Sequence, residues 1–234
     1  MNRQRVAIVG GSGYTGGELA RLLLNHPQVE LTQVASNSHA GRYLHSVHPN
    51  LRKISTLRFS HPDDLTSCDI LFLCLPHGVT SSEIDRYRSI APRIIDLSAD
   101  FRLRSSALYE EWYGVPHDTP NLLQEAVYGL PELHREELPG ATLVSGTGCM
   151  ATASILGLAP IYRVGLVNYA LPLVVDAKVG SPRFCPKSPP FDFSLTRPRS
   201  AAAEARAETP GTHRVLWDVA VVSGRVPRPL CLIA

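Results

Sequence analysis

The stretch that decides the fold is "RVAIVGGSGYTGGELARLLLNH", residues 5 to 26. The apolar run from Val6 to Val9 predicts a buried strand, and Gly11, Gly13 and Gly16 then fit the pattern G-x-G-x-x-G. Leucines at positions 19, 22 and 23 lie on one face of a helix that follows the glycines. Such a unit lets a pyrophosphate approach backbone N–H groups at the helix N-terminus, and we favour this interpretation over a glycine-rich turn without a ligand.

The alternation of strand-like and helix-like segments continues to about Gly180. Apolar β-type runs occur at "VELTQVAS", "DILFLCLP", "RIIDLS" and "ATLVSG", with helix-like sequence between several of them. Strands and helices in this order are typical of a parallel sheet that is covered by helices. The sequence therefore predicts an α/β fold with a doubly wound Rossmann sheet.

Composition narrows the functional classes. The chain has 234 residues and a formal net charge of +2, which predicts no partner among nucleic acids or anionic membranes. Its five cysteines are scattered and form no C-x-x-C pair, so we expect reduced thiols and no metal site. No apolar segment has the length of a membrane span, and the basic amino end runs into glycines rather than a cleavable apolar segment. These features predict a soluble, cytoplasmic protein.

The residues after the second predicted strand bear on the choice of dinucleotide. An acidic residue at this place normally binds the ribose hydroxyls of NAD, whereas here Ser36, Asn37 and Ser38 follow the strand. These side chains do not repel a 2′-phosphate, and several of them can hydrogen-bond it. The sequence therefore favours NADP, although the usual arginine partner is present only if Arg42 reaches back.

Two later strand ends should face the cofactor, because ligands of such sheets bind at the carboxyl ends of the strands. The residues that follow these strands include Pro76, His77, Gly78, Ser98, Asp100 and Arg102. His77 has the chemistry of a general base, but a histidine in a turn is more typical of a cap or a packing residue. For Arg102 two roles stay open, a fork onto a carboxylate or phosphate and a surface pair with an aspartate. His39, His45 and His48 have no acidic or cysteine partner, so they predict a loop near the cleft rather than a metal site.

A single cysteine has an unusual setting in "VSGTGCMATASILGLAP", residues 144 to 160. The pattern predicts a strand, a turn at Gly146 to Gly148 and a helix that begins at or next to Cys149. A helix N-terminus stabilises a thiolate through its dipole and its N–H groups, and the same amides can hold a developing oxyanion. The alternative, a small buried packing residue, fits Cys68 and Cys74 better than Cys149.

Several segments together resemble the N-acetyl-gamma-glutamyl-phosphate reductase family. They are "GGSGYTGGELARLLLNHP", "AGRYLHSVHPNLR", "LFLCLPHG", "IIDLSADFRL", "YGLPEL" and the Cys149 segment, and they span roughly residues 5 to 180. The run "GTGCMATA" is more similar to the branch that acts on aminoadipyl or glutamyl phosphate bound to a LysW-type amino-group carrier protein than to the N-acetylglutamate branch. A semialdehyde dehydrogenase acting on aspartyl phosphate uses similar chemistry, but "HPNLR" and "LPHG" argue against it.

The resemblance implies an NADPH-dependent oxidoreductase of arginine or lysine biosynthesis. In that family the cysteine, here Cys149, attacks an acyl phosphate, and the resulting thioester accepts a hydride to give a semialdehyde. The resemblance further implies that Arg102 binds an anionic group of the substrate, which is a small-molecule or carrier-protein-bound acyl phosphate. It also implies a glyceraldehyde-3-phosphate-dehydrogenase-like catalytic domain, through which the family forms homo-oligomers. The implied cofactor-binding residues are Gly10, Gly11, Ser12, Gly13, Tyr14, Thr15, Gly16, Ser36 and Pro76.

The last part of the chain departs from the family. We expect an NADP-binding domain over residues 1–148, the start of a catalytic domain over 149–180, and a divergent tail over 181–234 that lacks regular packed structure. Eight of the 19 prolines lie in this tail, and His213 does not match the acid–base motif of the family. The composition change motivates the hypothesis of a shifted reading frame, which resequencing the codons for 179–183 tests. On that hypothesis the alternative function is a non-catalytic NADP-binding remnant.

Overall fold

The computed structural model describes residues 3–166 and two short strands at 174–176 and 231–233. The chain divides into two compact units, Met1–Thr147 and Gly148–Ala234. In chain order the first unit contains β1 (Gln4–Val9), α1 (Tyr14–Leu23), β2 (Val29–Ala35), α2 (Leu44–Val47), β3 (Phe59–Ser60), β4 (Ile70–Leu73), α3 (Val79–Ile90), β5 (Arg93–Asp96), α4 (Ser106–Tyr113), β6 (Val127–Gly129), α5 (Pro131–His134) and β7 (Leu143–Gly146). Short 3-10 helices lie at Pro49–Leu51, Pro62–Asp64, Pro120–Leu123 and Leu138–Gly140.

The seven strands of the first unit form one parallel sheet with the order β3-β2-β1-β4-β5-β7-β6. From β1 the chain first moves outward through β2 to β3 and then returns to β4 on the other side of β1. Strands β1 and β4 therefore flank the switch point at which ligands of such sheets bind. The predicted Rossmann sheet is confirmed, with β1, β2, β4, β5 and β7 at the predicted places. Neither β3 nor β6 was predicted from the sequence.

Both faces of the sheet are buried, and β1 shows this directly. Val6 and Ile8 pack in one apolar cluster with residues of α1 and β2. Ala7 and Val9 pack in a second cluster with residues of β4, β5 and α3. Since successive strand side chains point to opposite faces, the unbroken apolar run of β1 is explained by helices on both sides.

The second unit begins with the helix α6 (Cys149–Arg163), whose predicted start at Cys149 is confirmed. The strands β8 (Val174–Asp176) and β9 (Cys231–Ile233) pair in parallel. The remaining residues of the predicted tail, including Cys185 and His213, lie outside the described residues. Within the part of the chain that the structure describes, no helix combines the length and the apolar content needed to cross a membrane.

Candidate dinucleotide-binding site

The backbone around the loop between β1 and α1 is packed so closely that neither Gly10 in the loop nor Gly16 in the first turn of α1 leaves room for a side chain. Gly10 has φ +78°, and a Cβ there would overlap the backbone carbonyl of Cys74, just beyond β4. A Cβ on Gly16 would lie 2.6 Å from the carbonyl oxygen of Gly10 and from Cα of Gly11. The first turn of α1 therefore rests directly on the loop, as the third glycine of the motif requires.

The middle glycine of the motif has a different environment. The atom closest to a Cβ on Gly13 would be the carbonyl oxygen of Gly10, at an ordinary 3.5 Å. Gly13, Tyr14 and Thr15 are all exposed, so the space in front of this turn is open. Internal packing therefore does not require a glycine at this position, and the open space leaves room for a ligand to approach the backbone.

The start of α1 presents backbone N–H groups in the same place. Gly13 is the N-cap residue, no side chain caps the helix, and its first turn contains no acidic residue. The N–H of Gly17 donates to the carbonyl of Gly13 at 2.9 Å, so the amides of Thr15 and Gly16 precede the first intrahelical bond. Such amides, together with the helix dipole, favour an anion, and the loop fits the pyrophosphate of a dinucleotide.

His48 supports the glycine loop from a distant part of the sequence. Its Nε2 lies 2.7 Å from the carbonyl oxygen of Gly11, and because a carbonyl only accepts, Nε2 carries the proton. The imidazole also fills the space that a Cβ on Gly17 would occupy. The sequence predicted only a loop near the cleft for this segment, and nothing in it distinguished His48 from His39 or His45.

Hydroxyl groups connect the end of β2 to the glycine loop. The Ser36 hydroxyl donates to Oγ of Ser12 at 2.8 Å and lies 3.5 Å from Oγ of Ser38. Oγ of Ser38 is in turn 2.7 Å from Nδ1 of His39. Ser36 itself is only 3 % exposed, whereas Ser38 is exposed. Within this described group of side chains there is no carboxylate and no hydrogen bond from the Arg42 side chain.

The turn after β4 carries a histidine–carboxylate pair. Nδ1 of His77 lies 2.6 Å from Oδ1 of Asp100, and the His77 side chain is 32 % exposed while that of Asp100 is fully buried. The N–H of Gly78 donates to Oδ1 of Asp100 at 2.7 Å, and the N–H of Ser81 donates to Oδ2 at 2.9 Å. Asp100 thus accepts hydrogen bonds from the start of α3 and from the imidazole. Pro76, just before the pair, is exposed.

These contacts decide the charge of Asp100. Burial alone raises the pKa of a carboxyl group, but the hydrogen bonds from His77, Gly78 and Ser81 outweigh it and hold the pKa of Asp100 below its usual value. At Asp96, at the end of β5, the effect of burial on the pKa outweighs that of the hydrogen bonds. Burial raises the pKa of Asp96 despite hydrogen bonds from the hydroxyls of Ser98 and Thr80. The surroundings of Asp100 therefore favour its ionised form, whereas those of Asp96 disfavour it.

Arg102 joins the carboxyl ends of two neighbouring strands. Its Nε donates to the carbonyl of Gly146 at 2.9 Å, and one terminal nitrogen is 3.4 Å from the carbonyl of Leu97. Among the residues that the structure describes, Arg102 forms no ion pair with an aspartate, so the alternative of a surface pair is not found there. The nearby Asp100 is buried, and its carboxylate pairs with the imidazole of His77. The remaining guanidinium donors leave the binding of an anionic group as a prediction.

Cys149 differs from the described cysteines of the first unit. It is exposed, is the first residue of α6 and follows the N-cap Gly148, with no side-chain cap on the helix. Cys68 is buried and Cys74 half-buried; burial raises the pKa of both thiols, that of Cys74 to about 12. The prediction that Cys68 and Cys74 are packing residues is confirmed by this burial. The role of Cys149 as a nucleophile stays a prediction.

Fold and loop together define a Rossmann-type dinucleotide-binding domain. The family described as semialdehyde dehydrogenase, NAD binding domain, matches residues 5–141. The chain belongs to this family.

Curated relatives and solved structures agree with this assignment. A putative LysW-L-2-aminoadipate 6-phosphate reductase of Thermomicrobium roseum is 51% identical over 225 residues, which cover 95% of this chain and 63% of the relative. A putative LysW-L-2-aminoadipate/LysW-L-glutamate phosphate reductase of Haloarcula marismortui is 51% identical over 175 residues, 75% of this chain and 50% of the relative. The resemblance inferred from the sequence is confirmed, and the chain spans between half and two thirds of the length of these relatives.

Among solved structures, aspartate semialdehyde dehydrogenase II of Vibrio cholerae superposes with a TM-score of 0.60 at 13% identity, covering 99% of this chain and 66% of that chain. A probable aspartate-semialdehyde dehydrogenase of Pseudomonas aeruginosa gives a TM-score of 0.55 at 18% identity, covering 99% and 69%. At such identities the likeness shows a shared fold and carries nothing about the substrate.

Proposed function

We propose that this chain binds NADP and reduces an acyl phosphate to a semialdehyde through a thioester on Cys149. The observation that carries the proposal is the exposed Cys149 at the first position of α6, in a chain whose first unit holds a complete glycine loop. The names of the relatives support an aminoadipyl or glutamyl phosphate carried by LysW as the substrate.

The chemistry follows from a thiolate at a helix N-terminus. The sulfur of Cys149 attacks the acyl carbon, the carbon–oxygen bond to the phosphate breaks, and inorganic phosphate leaves. Backbone N–H groups at the start of α6 stabilise the oxyanion that forms during this attack. NADPH, when bound, supplies the hydride that converts the thioester to a semialdehyde and releases the thiolate. The role proposed for Arg102 is to bind an anionic group of the substrate.

The preference for NADP rests on the hydroxyl groups after β2. The side chains of Ser12, Ser36 and Ser38 carry neutral hydroxyl groups, so they do not repel a 2′-phosphate. Ser36 is buried and positions Ser12, which leaves the exposed Ser38 beside His39 as the direct contact for the phosphate. The other proposed cofactor-binding residues are Gly10, Gly11, Gly13, Tyr14, Thr15, Gly16 and Pro76.

The reverse reaction offers the direct test. Purified chain is incubated with the semialdehyde, phosphate and NADP while the absorbance of the reduced nicotinamide is followed. We expect a signal that Cys149→Ser abolishes and that the matched control Cys68→Ala, a buried packing cysteine, retains. An equal signal from Cys149→Ser and wild type would contradict a thioester on this residue.

A second candidate function is a cofactor-binding remnant without turnover. It is favoured by the change in composition after about residue 180, where eight of the chain's 19 prolines lie. Cofactor binding without any reaction in the same assay supports it.

The Thermomicrobium roseum match covers 95% of the chain and so extends beyond residue 180. Resequencing the codons for residues 179–183 tests the hypothesis of a shifted reading frame. An intact frame there refutes it.

A further inference from the structure

Two histidines lie near Asp100, His77 after β4 and His117 after α4, and they differ in the hydrogen bonds that their ring nitrogens make. Nε2 of His117 lies 3.0 Å from the carbonyl of Asp100, and its Nδ1 accepts from the N–H of Thr119 at 3.1 Å. Both nitrogens of this buried ring are thus bound inside the protein. His77 is partly exposed and has one strong partner, Asp100 at 2.6 Å, while its Nε2 is 3.5 Å from the hydroxyl of Tyr109, the limit of a hydrogen bond.

Capping of α3 does not explain the pair. Asp100 binds the N–H groups of Gly78 and Ser81 directly, so the helix start is satisfied without the imidazole. The His77 ring is held in place by the aromatic ring of Tyr113, with 4.1 Å between the ring centroids. A fully buried carboxylate and a packed ring therefore fix an imidazole whose second nitrogen lacks a strong partner among the described residues.

The position of the pair in the sheet indicates what this nitrogen meets. The close contact between Gly10 and the carbonyl of Cys74 places the turn after β4 beside the phosphate-binding loop. In a doubly wound sheet a dinucleotide crosses the switch point, with one half beyond β2 and the other beyond β4. If the adenosine half lies by Ser38, the nicotinamide half lies by His77. The group of that half nearest to the phosphates is its ribose.

We propose that His77 contacts the cofactor, with Nε2 accepting a hydrogen bond from a hydroxyl of the nicotinamide-side ribose. Asp100 acts as a positioning residue, because its carboxylate accepts from Nδ1 and so leaves Nε2 of the neutral ring as an acceptor. The proposal rests on the proposed function, since it requires a bound dinucleotide. It adds a contact on the nicotinamide side to a site whose other proposed contacts serve the phosphates and the adenosine.

Two ligands distinguish binding at the nicotinamide half of the site from binding at the adenosine half. NADPH contains both nucleotides, whereas adenosine 2′,5′-bisphosphate contains only the adenosine half. His77→Phe keeps a ring against Tyr113 but removes both nitrogens. We expect the variant to bind NADPH about 3- to 10-fold more weakly, the effect of one lost hydrogen bond, with unchanged affinity for adenosine 2′,5′-bisphosphate.

A second variant and a matched control complete the experiment. Asp100→Asn removes the negative charge that holds the proton on Nδ1 of His77, so it should weaken the binding of NADPH more than that of adenosine 2′,5′-bisphosphate. His61→Phe is the control, because His61 also pairs with an aspartate, Asp63 at 3.3 Å, but on the exposed surface. Nitrogen chemical shifts of His77 in the cofactor-free chain should show the proton on Nδ1 in the wild type.

The outcomes distinguish this proposal from the proposed function. Wild-type chain that binds neither ligand overturns both. Wild-type binding of both ligands combined with unchanged NADPH affinity in His77→Phe overturns the contact alone. An equal loss of both ligands in that variant also overturns it, because the loss then comes from a disturbed loop. A wild-type His77 with its proton on Nε2 overturns the role given to Asp100.

Discussion

Replacing Gly13 by alanine should separate ligand binding from stability. The backbone at Gly13, φ −77° and ψ 169°, is open to any residue, and the closest atom to a new Cβ is 3.5 Å away. Alanine gains about 0.4–1 kcal/mol because it restricts the unfolded chain, and loses about 0.5–1 kcal/mol as a poorer N-cap. The free energy of unfolding should therefore change by no more than roughly 0.5 kcal/mol. In the proposed site the new methyl group stands where the pyrophosphate would approach the backbone, so NADPH affinity should fall more than about 10-fold.

Gly16→Ala is the matched variant with the opposite expectation for stability. Alanine inside a helix normally gains about 1 kcal/mol over glycine, but here its Cβ lies 2.6 Å from backbone atoms of Gly10 and Gly11. Because backbone atoms have little freedom to yield, α1 must move, and overpacking of this kind costs about 1–3 kcal/mol. Urea unfolding followed by tryptophan fluorescence and titration with NADPH measure the two quantities. Wild-type affinity in Gly13→Ala would refute the phosphate site, and equal stability of the two variants would refute the packing argument.

Three further predictions concern single side chains. Iodoacetamide at neutral pH should label the exposed Cys149 and spare Cys74, since burial raises the pKa of Cys74 to about 12; equal labelling in peptide mass spectrometry contradicts this. The lowered pKa of Asp100 stabilises the folded state at neutral pH, and this stability is lost as the pH falls below about 4, the ordinary value of an aspartate. Asp100→Asn should remove that part of the pH dependence of urea unfolding, and an unchanged acid limb argues against an ionised Asp100. Arg102→Met removes two hydrogen bonds to strand-end carbonyls and should lower the free energy of unfolding by about 1–3 kcal/mol. The same variant should abolish turnover without changing the affinity for NADPH. Turnover at the wild-type rate excludes a substrate contact.

The sheet was predictable wherever a strand carries enough apolar residues. β1, β4 and β7 lie in apolar runs whose side chains must be buried on at least one face of the sheet. The glycines after β1 indicate the turn to α1, because the backbone there leaves little room for larger residues. β3 has two residues and β6 has three, so neither shows a readable period. These strands exist because β2 and β7 offer an edge for pairing, a tertiary cause that a local pattern does not contain.

The contacts that build the site depend on strand order rather than on local sequence. Three of them join residues at the carboxyl ends of adjacent strands: Gly10 with Cys74, His77 with Asp100, and Arg102 with Gly146. Each contact crosses one step of the order β1-β4-β5-β7, so one topology brings all three about. The motif after β1 was visible because its chemistry is in the backbone of consecutive residues, whereas an imidazole and a carboxylate 23 positions apart become partners only once β4 and β5 are neighbours. For the same reason the sequence assigned His77 to a cap or to packing, and only the sheet reveals the buried charge that fixes its ring.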